Sequence, residues 1–215
     1  MNTDPHSKRI LCFGDSLTYG SDHVNNTRLD VSRRWTGVVQ KMLGEKYEII
    51  EEGLGGRTTE LDDPNREGRN GLLYFKGSVA SHVPLDLVVI LIGTNDLKKK
   101  FDRTPQQIAS SFEKYKEAIK LACDKWGFKY PKVLLVAPPL VYEANTPKDW
   151  GFAGAGEKSK QLAQAYKNIA DRLGFEFLNL APIAKPSEFD GTHLEDKENA
   201  KVADAIYTKI VQIIN

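Results

Sequence analysis

Five short apolar runs, separated by segments with helical periodicity, constrain the fold of this chain more than any other feature. The runs occupy residues 9–13, 47–51, 86–92, 132–137 and 175–180. Their near-continuous Val, Ile and Leu character is typical of parallel strands that are covered on both faces. This alternation predicts an α/β fold, with a parallel sheet, right-handed crossover connections and helices on both sides.

The segments between the runs repeat apolar residues at the spacing of a helix face. They are marked by Trp35, Val38, Val39, Met42 and Leu43, by Ile108, Phe112, Tyr115 and Ile119, by Leu162, Tyr166, Ile169 and Leu173, and by Val202, Ile206, Ile210 and Ile213. Thr104 is a natural N-cap, Pro105 suits the first helical position, and Gln107 completes a capping box. Gly174 directly after Leu173 predicts the end of a helix.

Length and composition indicate one globular domain over residues 1–215. The net charge is +1, and the charged residues are scattered, which argues against a nucleic-acid partner. Cys12 and Cys123 fall in a predicted strand and a predicted helix, so both are expected to be free core residues. Residues 1–9 lack the apolar stretch of a signal peptide, and no segment reaches membrane-spanning length. We therefore expect a cytoplasmic protein without a membrane partner.

Three irregular stretches, residues 20–33, 57–71 and 138–157, each follow a predicted strand end or the turn beyond it. Ligands of such sheets bind beyond the carboxyl ends of the strands, so we expect these stretches to gather around one rim. The last stretch contains Trp150 and Phe152. These apolar side chains line a substrate pocket, cover the site or form a subunit contact, or they simply pack a long loop onto the body of the protein.

Ser16 follows the first apolar run, at the point where Gly14 breaks the strand. A serine between a strand and a helix is held out of the core with its hydroxyl exposed, as in α/β hydrolases, which use another motif. Ser after Gly-Asp is equally suited to a turn or a helix N-cap. The preceding Asp15 either shapes the turn through backbone N–H bonds or contacts the substrate. This segment alone does not decide whether Ser16 is a nucleophile or a cap, or whether Asp15 shapes the turn or contacts the substrate.

Three more segments near the predicted rim carry groups that suit acyl transfer. Glycines within residues 53–59 let a backbone N–H approach a ligand closely. Arg57 in that segment either holds a substrate carboxylate or forms a structural ion pair. Asn95, after the third strand, offers an amide donor to a developing oxyanion, and Asp96 beside it suits a turn or cap.

The fourth segment places Asp190 three residues before His193. Across a turn, the carboxylate could accept the Nδ1 proton of the imidazole and fix the tautomer so that Nε2 faces the serine. The other histidines, His6, His23 and His82, have no comparable setting. No third ligand is suggested near Asp190 and His193, so no metal site is expected. The chain also lacks G-x-x-x-x-G-K-[ST], which excludes a P-loop.

Together, the four segments resemble the characteristic blocks of the SGNH (GDSL-type) hydrolases, in the same order. The blocks are Gly14-Asp15-Ser16-Leu17, Gly56, Gly93-Thr94-Asn95-Asp96 and Asp190-x-x-His193. Each block alone is weak evidence for the family, but the four blocks in the same order across nearly the whole chain are a specific signature. The resemblance implies a flavodoxin-like three-layer α/β/α fold with a five-stranded parallel sheet, and serine esterase chemistry without a cofactor.

By this resemblance, Ser16 is the nucleophile, His193 is the general base and Asp190 orients it. The oxyanion hole would comprise the N–H groups of Ser16 and Gly56 and the side chain of Asn95. Asp15, Trp150 and Phe152 are candidate substrate-binding residues.

Longer strings at residues 9–20, 34–37, 51–59 and 85–97 resemble the bacterial arylesterase/acyltransferase branch of the family. Gly56 is chosen over Gly55 because it directly precedes Arg57-Thr58-Thr59. Where that branch often has a bulkier Ser-Ala pair, this chain has Gly55-Gly56, which implies a roomier or looser pocket wall.

The branch resemblance predicts hydrolysis of short-chain acyl (acetyl or aryl) esters, with acyl transfer to alcohols as a secondary activity. It also implies a homo-oligomer that acts on a small-molecule ester. A carbohydrate O-deacetylase with the same triad is the alternative enzyme. A non-catalytic flavodoxin-like binding module is the alternative outside catalysis, but it would not need Asp190, His193 and Asn95 together.

Overall fold

The computed structural model describes residue 4 and residues 6–214. Within this part of the chain, the main sheet has five parallel strands: β1 (Lys8–Gly14), β2 (Tyr47–Gly53), β3 (Leu87–Leu91), β4 (Lys132–Ala137) and β5 (Glu176–Asn179). Their spatial order is β2-β1-β3-β4-β5, which is the flavodoxin-like order. Each of the five predicted runs overlaps one strand, so the expected fold class is confirmed.

The central strands are buried on both faces, which explains their continuous apolar character. In β1, Leu11 and Phe13 point into one core and Ile10 and Cys12 into the other, and all four are fully buried. Successive side chains of a strand point to opposite faces, so a strand with helices on both sides needs apolar residues at every position.

Helices cover both faces of the sheet. They are α1 (Ser16–Tyr19), α2 (Trp35–Leu43), α3 (Gly71–His82), α4 (Pro105–Ser110), α5 (Phe112–Trp126), α6 (Ala155–Leu173) and α7 (Asp196–Ile214). The buried residues of α2 and α7 join one core, and those of α3 to α6 join the other. Trp35 is fully buried in the first of these cores, as predicted.

Two features of the helices differ from the sequence expectation. The segment predicted as one helix from Thr104 onward is divided into α4 and α5 at Ser111, whose hydroxyl donates to Glu60 Oε1 over 2.9 Å. Helix α3 has no counterpart in the predicted elements. It buries Phe75 and Val79 but exposes Leu73 and Tyr74, so its apolar residues do not mark one face.

The local signals at helix ends are confirmed. The Thr104 N–H donates to Gln107 Oε1 over 2.8 Å, and the Gln107 N–H donates to Thr104 Oγ1 over 3.2 Å, which completes the capping box. Gly174 ends α6 with a left-handed φ of 70°. Cys12 and Cys123 are buried and free, as expected.

The first and third strands of the sheet direct the chain toward the candidate site. Strand β1 leads into α1, and β3 leads into residues 93–97, at the point where the order of the strands reverses. Ligand sites of open parallel sheets lie at this switch point.

The described residues include no helix that is both long and apolar enough to cross a membrane. The segment considered for a signal peptide includes residues 1–3 and 5, which lie outside the described part of the chain.

Candidate active site

Ser16 is the first residue of α1, and Asp15 caps that helix. The Leu17 N–H donates to Asp15 Oδ1 over 3.0 Å, so Asp15, not Ser16, supplies the capping oxygen. Asp15 is fully buried, and this burial raises its pKa to about 6. The Ser16 side chain is half-buried, and its hydroxyl makes no hydrogen bond to another described residue. The hydroxyl is therefore available to a partner or a substrate.

Asp190 and His193 form a hydrogen-bonded pair across a turn. The distance from His193 Nδ1 to Asp190 Oδ2 is 2.7 Å. Asp190 Oδ1 accepts the backbone N–H groups of Thr192 and His193, each over 2.9 Å. Burial alone would raise the pKa of Asp190, but the His193 ring and these N–H donors lower it to about 2. An ionised carboxylate accepts only, so Nδ1 carries the proton and Nε2 is free to act as a base.

A cavity of about 230 Å³ brings most of the predicted site residues together. Its lining includes Ser16, Gly56, Asn95, Trp150, Phe152 and His193. The Trp150 ring meets the His193 ring edge to face, with 5.7 Å between centroids. Asp190 lies behind His193, and Asp15 lies beneath Ser16 as a cap and does not line the cavity.

Three groups with free N–H bonds border this cavity. The Ser16 and Gly56 amides donate to no other described residue. The Asn95 side-chain amide carries two protons. One donates to the Arg57 carbonyl over 3.2 Å, and the other donates to no other described residue. Gly56 has a φ of +80°, in the left-handed region that favours glycine, and a Cβ there would meet the end of the flexible Arg66 side chain. The backbone conformation therefore favours glycine at position 56.

Buried polar contacts hold the loops of these donors together. The Arg57 guanidinium donates to the Gly14 carbonyl over 2.8 Å and lies 4.3 Å from the centre of the Phe13 ring. Its role is thus structural, but among the described residues it makes no ion pair. Asp96 accepts the Thr59 N–H over 2.8 Å, so it ties the Asn95 loop to the loop that follows Gly56.

His23 is one of the residues at the site that the sequence did not indicate, as are Lys98 and Arg66 in the cavity wall. Its side chain is 7% exposed, and its Nδ1 lies 3.8 Å from Asp190 Oδ2. The ring stacks on His193 with 5.8 Å between centroids, and neither ring nitrogen has a hydrogen-bond partner among the described residues. Candidate ligand atoms of His23, Asp190 and His193 all lie within 4.8 Å of one another. The expectation that Asp190 and His193 have no third potential metal ligand nearby is therefore wrong. The absence of a bound metal stays a prediction.

Residues 12–201 of the chain match the model of the GDSL-like lipase/acylhydrolase family. The comparison with curated proteins gives no match.

Solved structures resemble the whole fold. A carbohydrate acetylesterase from Sinorhizobium meliloti is 40% identical, with a TM-score of 0.88 over 96% of this chain and 99% of that chain. The native aryl esterase of M. smegmatis is 35% identical, with a TM-score of 0.88 over 96% of this chain and 100% of that chain. A second carbohydrate acetylesterase family member from S. meliloti is 31% identical, with a TM-score of 0.88 over 96% and 99% of the two chains.

Proposed function

The chain belongs to the GDSL-like lipase/acylhydrolase family, and we propose that it is a serine esterase for short-chain acyl esters. We assign Ser16 as the nucleophile, His193 as the general base and Asp190 as the residue that orients His193. One observation carries the proposal: Ser16 and His193 line the same cavity as three candidate oxyanion donors. A site for acyl transfer needs these three functions in one place.

In the proposed first half-reaction, His193 Nε2 removes the Ser16 proton as the hydroxyl oxygen attacks the ester carbonyl. The carbonyl oxygen becomes an oxyanion, which accepts the N–H groups of Ser16, Gly56 and the Asn95 side chain. These donors are fixed before the reaction, so little reorganisation opposes the charge that develops. Collapse of the tetrahedral intermediate expels the alcohol, which takes the proton from His193.

In the second half-reaction, water attacks the acyl-enzyme while His193 accepts its proton. The same donors stabilise the second oxyanion, and its collapse releases the acid while the Ser16 oxygen takes the proton back from His193. An alcohol that replaces water would yield a new ester, and acyl transfer is therefore the proposed secondary activity.

The proposed preference for short acyl groups is tested with p-nitrophenyl acetate, butyrate and octanoate. The cavity volume of about 230 Å³ and the rings of Trp150 and Phe152 in its wall support this preference. We expect kcat/KM to be highest for acetate and lowest for octanoate. Faster turnover of octanoate than of acetate would overturn the short-chain assignment.

A carbohydrate O-deacetylase is the second candidate function, because one solved relative at 40% identity is a carbohydrate acetylesterase. It would use the same nucleophile, base and donors. Acetate release from acetylated sugars, measured beside p-nitrophenyl acetate, distinguishes the two substrate classes.

Replacing Asn95 by alanine is expected to lower kcat by roughly 10²–10³-fold, because one oxyanion donor is lost. KM should change little, since the donor acts mainly on charge that develops in the transition state. Asn168→Ala, on the exposed face of α6, is the matched control. A variant that raises KM while it keeps the wild-type kcat would contradict the assignment of Asn95 to the oxyanion hole.

We further propose that the enzyme is a cytoplasmic homo-oligomer. Exposed apolar side chains beside the site support self-association, because Phe189 is 67% and Val24 is 65% exposed. The buried free cysteines are consistent with a reducing compartment. Light scattering measures the oligomeric state, and cell fractionation locates the protein.

A further inference from the structure

The wall of the active-site cavity is cationic. Lys98 and Arg66 both line it, and no described lining residue is an aspartate or a glutamate. The mechanism proposed above uses neither cation. A neutral acetyl ester has no group that needs them.

Lys98 follows the helical turn that carries Asn95, and its N–H donates to the Asn95 carbonyl over 3.2 Å. Its Nζ lies over the Phe152 ring, 5.0 Å from the centroid. Among the described residues it makes no ion pair, whereas Lys100 Nζ lies 2.6 Å from the Asp63 carboxylate. The charge of Lys98 thus faces the cavity without a carboxylate in contact.

Arg66 adds a second positive charge to the wall of the same cavity. Its Nη2 donates to the Gly55 carbonyl over 3.3 Å, and its guanidinium packs against Gly56. No described carboxylate forms an ion pair with it. The guanidinium keeps several unused N–H donors, and it can hold a carboxylate through two parallel bonds.

Burial is the main reason that the pKa of Lys98 falls to about 8. The positive charges of Lys100 and Arg66 lower it further, and the negative charges of Asp63 and Asp15 partly offset the effect. The amine is still mainly protonated at neutral pH. A partly dehydrated ammonium among other cations regains favourable interactions when an anion enters the cavity.

We propose that this site prefers esters that carry a carboxylate, which Lys98 and Arg66 bind while Ser16 attacks the ester carbonyl. The inference rests on the proposed esterase function and names its substrate class as acidic esters. Phe152 and Trp150 would contact the apolar part of such a substrate. The carboxylate could belong to the acyl part or to the alcohol part, and the experiment separates these two sources.

The test compares kcat/KM for two pairs of esters. On the acyl side, p-nitrophenyl monosuccinate is compared with p-nitrophenyl butyrate. On the alcohol side, 4-acetoxybenzoate is compared with 4-acetoxybenzamide. We expect the acidic ester to be preferred by about tenfold in at least one pair, equivalent to about 1.4 kcal/mol. The preference should weaken as added salt screens the charges.

Lys98→Gln should lower the acidic-to-neutral ratio severalfold, and Arg66→Gln should act in the same direction. Lys99→Gln is the matched control, because Lys99 is an exposed neighbour that does not line the cavity, and it should leave the ratio unchanged. Wild-type enzyme gives an independent measurement: benzoate should inhibit hydrolysis of p-nitrophenyl acetate more strongly than benzamide does. This measurement does not depend on the folding of a variant.

Two results would overturn the acidic-ester assignment: no preference in either pair, or a ratio that Lys98→Gln leaves at the wild-type value. Neither affects the esterase proposal, which depends on hydrolysis of neutral p-nitrophenyl acetate and its loss in Ser16→Ala. Failure to hydrolyse any of the esters would instead reject the proposed function itself.

Discussion

Replacing Ser16 by alanine is expected to lower kcat for p-nitrophenyl acetate by roughly 10⁶-fold. The hydroxyl oxygen forms the covalent bond of the acyl-enzyme, and alanine has no atom that can form it. Catalysis above the uncatalysed rate should persist at a low level, because the oxyanion donors and the substrate contacts remain. The measurement is the release of p-nitrophenol together with the mass of the protein, since wild type should carry a transient acyl adduct and the variant none.

The fold of this variant should be intact. Asp15 supplies the cap of α1, and the Ser16 hydroxyl bonds to no other described residue, so its loss removes no internal contact. Thermal unfolding checks this expectation. Ser81→Ala, on the exposed part of α3, is the matched control and should retain full activity. A Ser16→Ala enzyme as active as wild type would reject the nucleophile assignment.

The strands of the sheet were predictable because burial on both faces requires a continuous run of apolar residues. Strand β3 reads Leu-Val-Val-Ile-Leu, and each of these residues is fully buried. Helix α3 was not predictable in the same way. Phe75 and Val79 are fully buried while Leu73 remains 62% exposed, so tertiary packing determines this helix more than periodicity does.

The parts of the candidate site that depend on short distances along the sequence were predictable. Asp190 and His193 are three residues apart, and a single turn suffices to join them. Gly56 and Asn95 follow strands whose carboxyl ends meet at one edge of the sheet.

The rest of the site depends on contacts between distant segments. His23 reaches Asp190 from the loop between two short antiparallel strands, Ser21–Asp22 and Thr27–Arg28, and no periodicity marks it. Lys98 is one of three consecutive lysines, Lys98 to Lys100, and the sequence does not indicate which of them faces the cavity. Arg57 could not be assigned for the same reason, since its partners are backbone carbonyls that carry no side-chain signal.

Asp190→Asn is expected to lower kcat by about 10⁴-fold with little change in the fold. The asparagine oxygen can still accept the N–H groups of Thr192 and His193, which Asp190 Oδ1 accepts in the wild type. The second position becomes an NH₂ donor that faces His193 Nδ1, so the hydrogen bond favours the tautomer with its proton on Nε2. In that tautomer the ring cannot accept the Ser16 proton, and it also lacks a negative partner to stabilise the imidazolium.

The loss should fall on kcat, because Asp190 touches His193 and does not line the substrate cavity. Asp204→Asn, an exposed substitution of the same kind on α7, is the matched control and should leave kcat unchanged. The double variant Ser16→Ala/Asp190→Asn provides a sharper criterion. If Asp190 acts only through His193 on Ser16, the double variant should be no slower than Ser16→Ala alone, because residues that act as a unit give non-additive losses. A further large loss in the double variant would show that Asp190 contributes by a route independent of the nucleophile.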